Sequence, residues 1–141
     1  MKEGLLTAIG IVGSFIATAL GGFDAGLVAL VTFMGVDYVT GLIVAGVFKK
    51  SKKSDGGGLE SGAGFKGLIK KGMSLLFVLI AVQLDRFIGT NFVRDAVIIA
   101  FISNELISIV ENAGLMGVPI PAVITKAIDI LNKKGDNHEN H

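Results

Sequence analysis

Three carboxylates stand where the surrounding sequence is too apolar for them. Asp37 interrupts an apolar run over residues 25–48, and Glu105 and Glu111 interrupt another over 95–118. On insertion scales an Asp at the centre of a lipid-spanning helix costs about 2.5–3.5 kcal/mol. No lysine or arginine is expected at comparable depth to pair with these acids, which leaves them either protonated or facing water. Phe101, Glu105, Ser108 and Asn112 follow spacings of four, three and four, so they share one helix face. Three of the four are polar. Such a stripe on an apolar helix suits a water-lined lumen or a hydrogen-bonded seam between subunits, with Asp37, Glu105, Ser108, Glu111 and Asn112 as its candidate residues. The competing reading makes the acids structural, bonded to Tyr38, Thr40, Ser103 or backbone within one bundle. Catalysis has no foothold. The chain has no cysteine, and its two histidines, His138 and His141, lie in the last four residues. There is no phosphate-binding loop, nucleophile elbow or dinucleotide fingerprint, and His138-Glu139-Asn140-His141 lacks the spacing of a zinc helix. No enzyme, cofactor or metal is expected.

The elements that must hold these residues follow from composition. Of 141 residues 51% are apolar and only 18% charged, with a mean hydropathy of +0.69. A soluble domain carries about 25% charge, so much of this chain has lipid for a solvent. Four runs read as transmembrane helices: 4–22, 25–48, 72–92 and 95–118. The first has no charge and reaches about 28 Å as a helix, roughly one hydrocarbon thickness. It continues too far for a cleaved signal sequence, and 17–19 is a weak cleavage site. Residues 49–71 form a basic connection with Lys49, Lys50, Lys52, Lys53, Lys66, Lys70 and Lys71. Placing these lysines in the cytoplasm puts both termini inside and leaves only Arg86 and Arg94 near the outer face. Asp85 and Arg86 read as residues ending a span at that interface. Two or three spans, with the third or fourth run lying at the interface, is the alternative. Pro119 and Pro121 end the last run. Residues 122–134 carry an amphipathic pattern for the membrane surface or a partner, and 135–141 read as a disordered polar tail. The fold expected is an all-α membrane protein: one membrane domain over 1–134, about four transmembrane helices and a C-terminal amphipathic helix.

Small residues mark the first run in two rows, Gly10, Ser14, Thr18 and Gly22 beside Gly13, Ala17 and Gly21. Spacing of four puts each row on one face, where small side chains let two helices approach closely in lipid. The partner is another copy of the chain or another span of the same one; the competing reading is the plain abundance of glycine in membrane helices.

The motifs taken together resemble a known family. Gly21-Gly22-Phe23-Asp24 precedes the second run, and Asp37-Tyr38-Val39-Thr40-Gly41 lies within it. Ser61-Gly62-Ala63-Gly64-Phe65-Lys66-Gly67-Leu68-Ile69-Lys70-Lys71 closes the basic connection. Asn104-Glu105-Leu106-Ile107-Ser108-Ile109-Val110-Glu111-Asn112 and Gly117-Val118-Pro119-Ile120-Pro121 follow in order. This set is similar to the toxin-secretion/phage-lysis holins of Gram-positive bacteria, their phages and prophages, over roughly residues 20–131. Phe23 stands where the family commonly has Trp, and the 49–58 stretch is longer and more polar than usual. The resemblance implies a small protein of the bacterial cytoplasmic membrane that accumulates, associates with itself and opens lesions. Through these a cytoplasmic murein hydrolase, or in some relatives a toxin, leaves the cell without needing to touch it. Its partners would be further copies of itself and membrane lipid, with no nucleic acid. Two other classes compete: a small channel of fixed stoichiometry, told apart by the size of what passes, and a membrane anchor recruiting a partner through 122–134, told apart by deleting 122–141.

Overall fold

The computed structural model describes residues 1–139, and every regular element among them is helical. Helix α1 covers Lys2–Ala19, α2 covers Ala25–Ile43 and widens into a π-helical turn over Val44–Phe48, and α3 covers Ser61–Ile88. Helices α4, Val93–Leu115, and α5, Ala122–Glu139, complete the chain. Three helices are long and apolar enough to cross a membrane: α1, Ala25–Phe48 and α3.

Helix α4 is the hub. It packs against α2, α3 and α5, whereas α2 and α3 meet each other more sparingly. Leu27, Leu30, Met34, Val78, Ile98 and Ile102 form the shared core with Leu20. Periodicity selects them: 27, 30 and 34 fall on one face of α2, and 98 and 102 on one face of α4. Gly26 faces α4, where a Cβ would meet Cγ2 of Ile98 at an ordinary contact distance of 3.5 Å. The outward faces of α2 and α3 stay apolar, with Val31, Val39, Phe77 and Ile80 exposed.

Helices α1, α3 and α4 end three or four residues before the expected runs, at Ala19, Ile88 and Leu115, and two boundaries differ by more. The basic connection was expected to run to residue 71, yet α3 begins at Ser61, so Lys66, Lys70 and Lys71 are helical and only Lys49, Lys50, Lys52 and Lys53 belong to the connecting stretch. Lysine is a good helix former, and Ala63, Gly67, Lys71, Ser74 and Val78 continue the inward face of α3 toward its start. The tail expected to be disordered from 135 is helical through Glu139, because α5 folds back along α4: a Cβ on Gly135 would sit 3.6 Å from Cγ2 of Ile99. Asn140 and His141 lie outside the described residues.

Helix α1 buries none of its residues. Gly10, Gly13, Ser14, Ala17 and Thr18 therefore have no span of this chain packed along them, and the Thr18 hydroxyl donates to the Ser14 carbonyl at 2.8 Å. Gly21 and Gly22 leave the expected packing rows. They lie past the helix end, where the Gly22 N–H closes the last turn on the Ala17 carbonyl at 2.8 Å. Their φ angles are +93° and +102°, which only glycine adopts without strain. Gly21 also leaves room for an arginine, since a Cβ there would fall 2.5 Å from Nε of Arg94. Gly21→Ala is expected to cost about 1–3 kcal/mol, while Gly4→Ala, with nothing within 4 Å, should not destabilise. Thermal unfolding of the purified variants in detergent checks both.

Candidate functional site

Two polar clusters tie the helices together at different levels. The first joins both helix turns at one end of the bundle. Arg94, in the first turn of α4, is buried, and its Nε donates to the Leu20 carbonyl at 2.6 Å. Nη2 donates to the Gly22 carbonyl at 3.0 Å, and Nη1 reaches Oδ2 of Asp24 at 2.7 Å. The planar guanidinium suits this task, because one side chain can serve two carbonyls and a carboxylate at once. Asp24 also caps α2 by accepting from the Leu27 N–H at 3.0 Å. Asp85 of α3 caps α4 from outside: Oδ1 accepts from the Val93 N–H and Oδ2 from the Arg94 N–H, both at 3.0 Å. The expectation that Asp85 merely ends a span is thus replaced by a specific role, since it satisfies two N–H groups that a helix start leaves open.

The Arg94 guanidinium holds the Asp24 carboxyl below its usual range, despite partial desolvation. A carboxyl whose pKa is lowered by folding adds stability above its ordinary pKa and loses it as pH falls through the lowered one. Unfolding midpoints followed from about pH 6 to about pH 3 should therefore fall more steeply for the parent chain than for Asp24→Asn. Equal slopes would mean the Asp24–Arg94 pair contributes nothing.

The second cluster lies between α2, α3 and α4, on the far side of the core. Asp37 and Glu105 are both buried, at 4% and 7% exposure. Lys71 joins them: its Nζ lies 2.7 Å from Oδ2 of Asp37 and 2.7 Å from Oε2 of Glu105. By helical rise Asp37 is about 18 Å along α2 from Ala25, and Lys71 about 15 Å along α3 from Ser61. The premise that these acids have no cation at their depth is corrected here. Lys71 had been assigned to a cytoplasmic loop, whereas an extra three turns of α3 carry it inward. The signal was its place on the Gly67–Lys71–Ser74–Val78 face; Lys70, one position away, stays exposed.

Asn112 completes the cluster. Its Nδ2 donates to Oδ1 of Asp37 at 3.1 Å and to Oγ1 of Thr40 at 2.9 Å. Thr40 in turn donates to the Val36 carbonyl at 2.9 Å. Of the structural partners considered from the sequence, Thr40 donates to the Asp37 carbonyl at 3.0 Å and meets its carboxylate through Asn112, whereas Tyr38 turns away toward α3, its hydroxyl 3.5 Å from the Gly64 carbonyl. Ser103 is buried with no hydrogen-bond partner for its hydroxyl among the described residues. The motifs now have physical content. Gly64 leaves the space that Tyr38 fills, with a Cβ there 3.3 Å from the hydroxyl, and Gly41 lies under the Asn112 amide at 3.8 Å. Asp37, Thr40 and Gly41 of the first motif meet Glu105 and Asn112 of the second, through Lys71 and directly.

A cavity of about 630 Å³ opens beside this cluster toward residues 51–60. Asp37, Lys71, Glu105, Ser108 and Glu111 line it, with Lys66 and Lys70 also on the wall. Ser108 is half-buried and Glu111 exposed, so Glu111 borders the cavity without joining the Lys71 cluster. Two carboxylates share one ammonium here, an arrangement whose balance changes if one acid is neutralised or the lysine withdraws. No group of three metal-ligating side chains occurs among the described residues.

The bacteriophage holin family matches residues 14–133. The chain is 40% identical to an uncharacterized protein of Listeria innocua, over 97% of this chain and 95% of that one. It is 40% identical to an uncharacterized 14.9 kDa protein of Clostridium perfringens, over 86% and 88%. To a probable holin of Bacillus phage phi105 it is 34% identical, over 72% of this chain and 70% of that one. No solved structure matches.

Proposed function

Because this chain belongs to the bacteriophage holin family, we propose that it accumulates in the bacterial cytoplasmic membrane, associates with further copies of itself and opens lesions wide enough for a folded murein hydrolase. The hydrolase need only be in solution nearby; a toxin leaves by the same route where one is made. Four helices, α1 to α4, cross the membrane, with Lys2 and the lysines of 49–53 on the cytoplasmic side. The physical support is the cluster of Lys71, Asp37, Glu105 and Asn112. It holds a charged knot inside helices whose outer surfaces suit lipid, and burial of apolar side chains from lipid gives little drive for helix association. Polar contacts therefore decide whether the bundle stays closed or exchanges them for water and neighbouring copies. Helix α1, with its small-residue rows uncovered, supplies a surface for those copies. Asp37, Glu105, Ser108, Glu111 and Asn112 are the residues that such an exchange would place on a lumen or subunit seam.

Induced expression in a bacterial host beside a soluble cytoplasmic reporter enzyme tests this reading. Delayed and abrupt depolarisation together with reporter release is expected; slow depolarisation with the reporter retained contradicts it and points to a small fixed pore. Glu105→Gln leaves one acid for one lysine and removes the excess negative charge that two buried carboxylates carry beside a single ammonium. The closed bundle gains, so depolarisation should start later than in the parent. Earlier or unchanged onset would remove the cluster from the opening step.

A further inference from the structure

Helix α5 carries charges at a level where the rest of the bundle meets lipid. It runs antiparallel to α4. Gly135, near its end, packs on Ile99, Leu131 packs against the core that holds Ile98 and Ile102, and Ile128 is buried. Ile98 in turn faces Gly26 in the first turn of α2. The end of α5 is therefore level with the α1–α2 turn, and its start, six residues after α4, is level with the opposite end of the bundle. Its 18 residues rise about 27 Å, close to one hydrocarbon thickness. The expectation of a helix lying flat on the membrane surface does not fit this register.

Lys126, Asp129, Lys133 and Asp136 follow spacings of three, four and three. They form one stripe, and all four are exposed. Their signs alternate, so each has an opposite charge one turn away. Lipid offers such a stripe no hydration.

We infer that α5 crosses the membrane alongside α4, returning the chain to the face of the α1–α2 turn, and that its charged stripe borders a water-filled space enclosed by further copies of this chain. The second half rests on the lesion-forming reading above, and the first rests on α4 crossing the membrane. The charge bias across the membrane narrows but survives, because Lys2, Lys49, Lys50, Lys52, Lys53, Lys66 and Lys70 still outnumber Arg86, Arg94, Lys133 and Lys134 on the opposite side.

The chain has no cysteine, so single cysteines report without background. Phe23→Cys marks the α1–α2 turn, Gly56→Cys marks the 49–60 stretch, and Asp136→Cys and Asn137→Cys test the end of α5, in case one of the two folds poorly. Before lesions open, a membrane-impermeant maleimide is added outside intact cells. The end-of-α5 cysteines should label with Phe23→Cys and about tenfold faster than Gly56→Cys, since thiolates react on contact and the reagent cannot cross to the opposite face. Labelling that follows Gly56→Cys would overturn the crossing. After opening, Asp129→Cys at mid-helix should react about tenfold faster than the lipid-facing Ile80→Cys; equal rates would overturn the water-filled border. Reporter release in the same cultures separates the two ideas. Release with the α5 end protected refutes the crossing alone, whereas labelling without release refutes lesion formation and leaves the crossing standing.

Discussion

Lys71→Met should be the most damaging single substitution in the chain. It removes the ammonium that Asp37 and Glu105 share at 2.7 Å each and leaves two buried carboxyls facing one another. Breaking one partner out of a buried ion pair typically costs about 3–5 kcal/mol, and the adjoining cavity, which admits some water, places this case near 3. The loss should appear as a lower unfolding temperature in detergent and faster proteolysis of the purified protein. A neutral set, Asp37→Asn with Lys71→Met and Glu105→Gln, should recover most of it, because replacing all partners removes the uncompensated charge. Lys70→Met serves as the control: Lys70 is one residue away and exposed, so its loss should stay within about 0.5 kcal/mol. Were Lys71→Met to behave like Lys70→Met, the cluster would hold nothing together.

The second large effect belongs to Arg94. Arg94→Lys retains the charge and is expected to lose about 2–3 kcal/mol, close to the loss from Arg94→Ala. The reason is geometric. An ammonium cannot serve the Leu20 carbonyl, the Gly22 carbonyl and Asp24 together, and each carbonyl left without a donor away from water carries its own penalty. Loss of this clamp should also free α1, whose last residues are fixed to the bundle through Leu20 and Gly22. Hydrogen exchange at the amides of Leu27 and Val28 gives the readout, since their N–H groups bond to Asp24. Full rescue by lysine would reduce Arg94 to a general positive charge.

Much of this arrangement was legible before the structure, and the limits have physical causes. The acids of Asp37 and Glu105 and the stripe with Ser108 and Asn112 stand out against apolar sequence, because the penalty for charge in lipid is large. Their cation was missed because a run of lysines at a membrane boundary satisfies orientation alone, and that explanation hid one lysine turned inward. Reading α3 from Ser61 by its inward face, rather than from Gly72 by hydropathy, would have found it. The Arg94 clamp was out of reach for another reason. Its acceptors are the carbonyls of Leu20 and Gly22, which every residue type possesses, so no side-chain pattern announces them. Gly21 and Gly22 were noticed as small residues, yet spacing of four could not tell a packing row from a turn with positive φ. In α5, the amphipathic pattern was plain, but amphipathicity specifies a helix with an apolar side and says nothing of which surface takes it. Here α4 does.

Size selectivity tests the central claim most directly. The purified chain is reconstituted into lipid vesicles that hold a small anionic dye and a folded reporter enzyme together, and both are followed as the protein-to-lipid ratio rises. The account predicts that above a threshold ratio dye and enzyme leave the same vesicles in one step, as lesions wide enough for a folded protein require. Complete loss of dye with the enzyme retained at every ratio would contradict it and leave a pore for small solutes in its place.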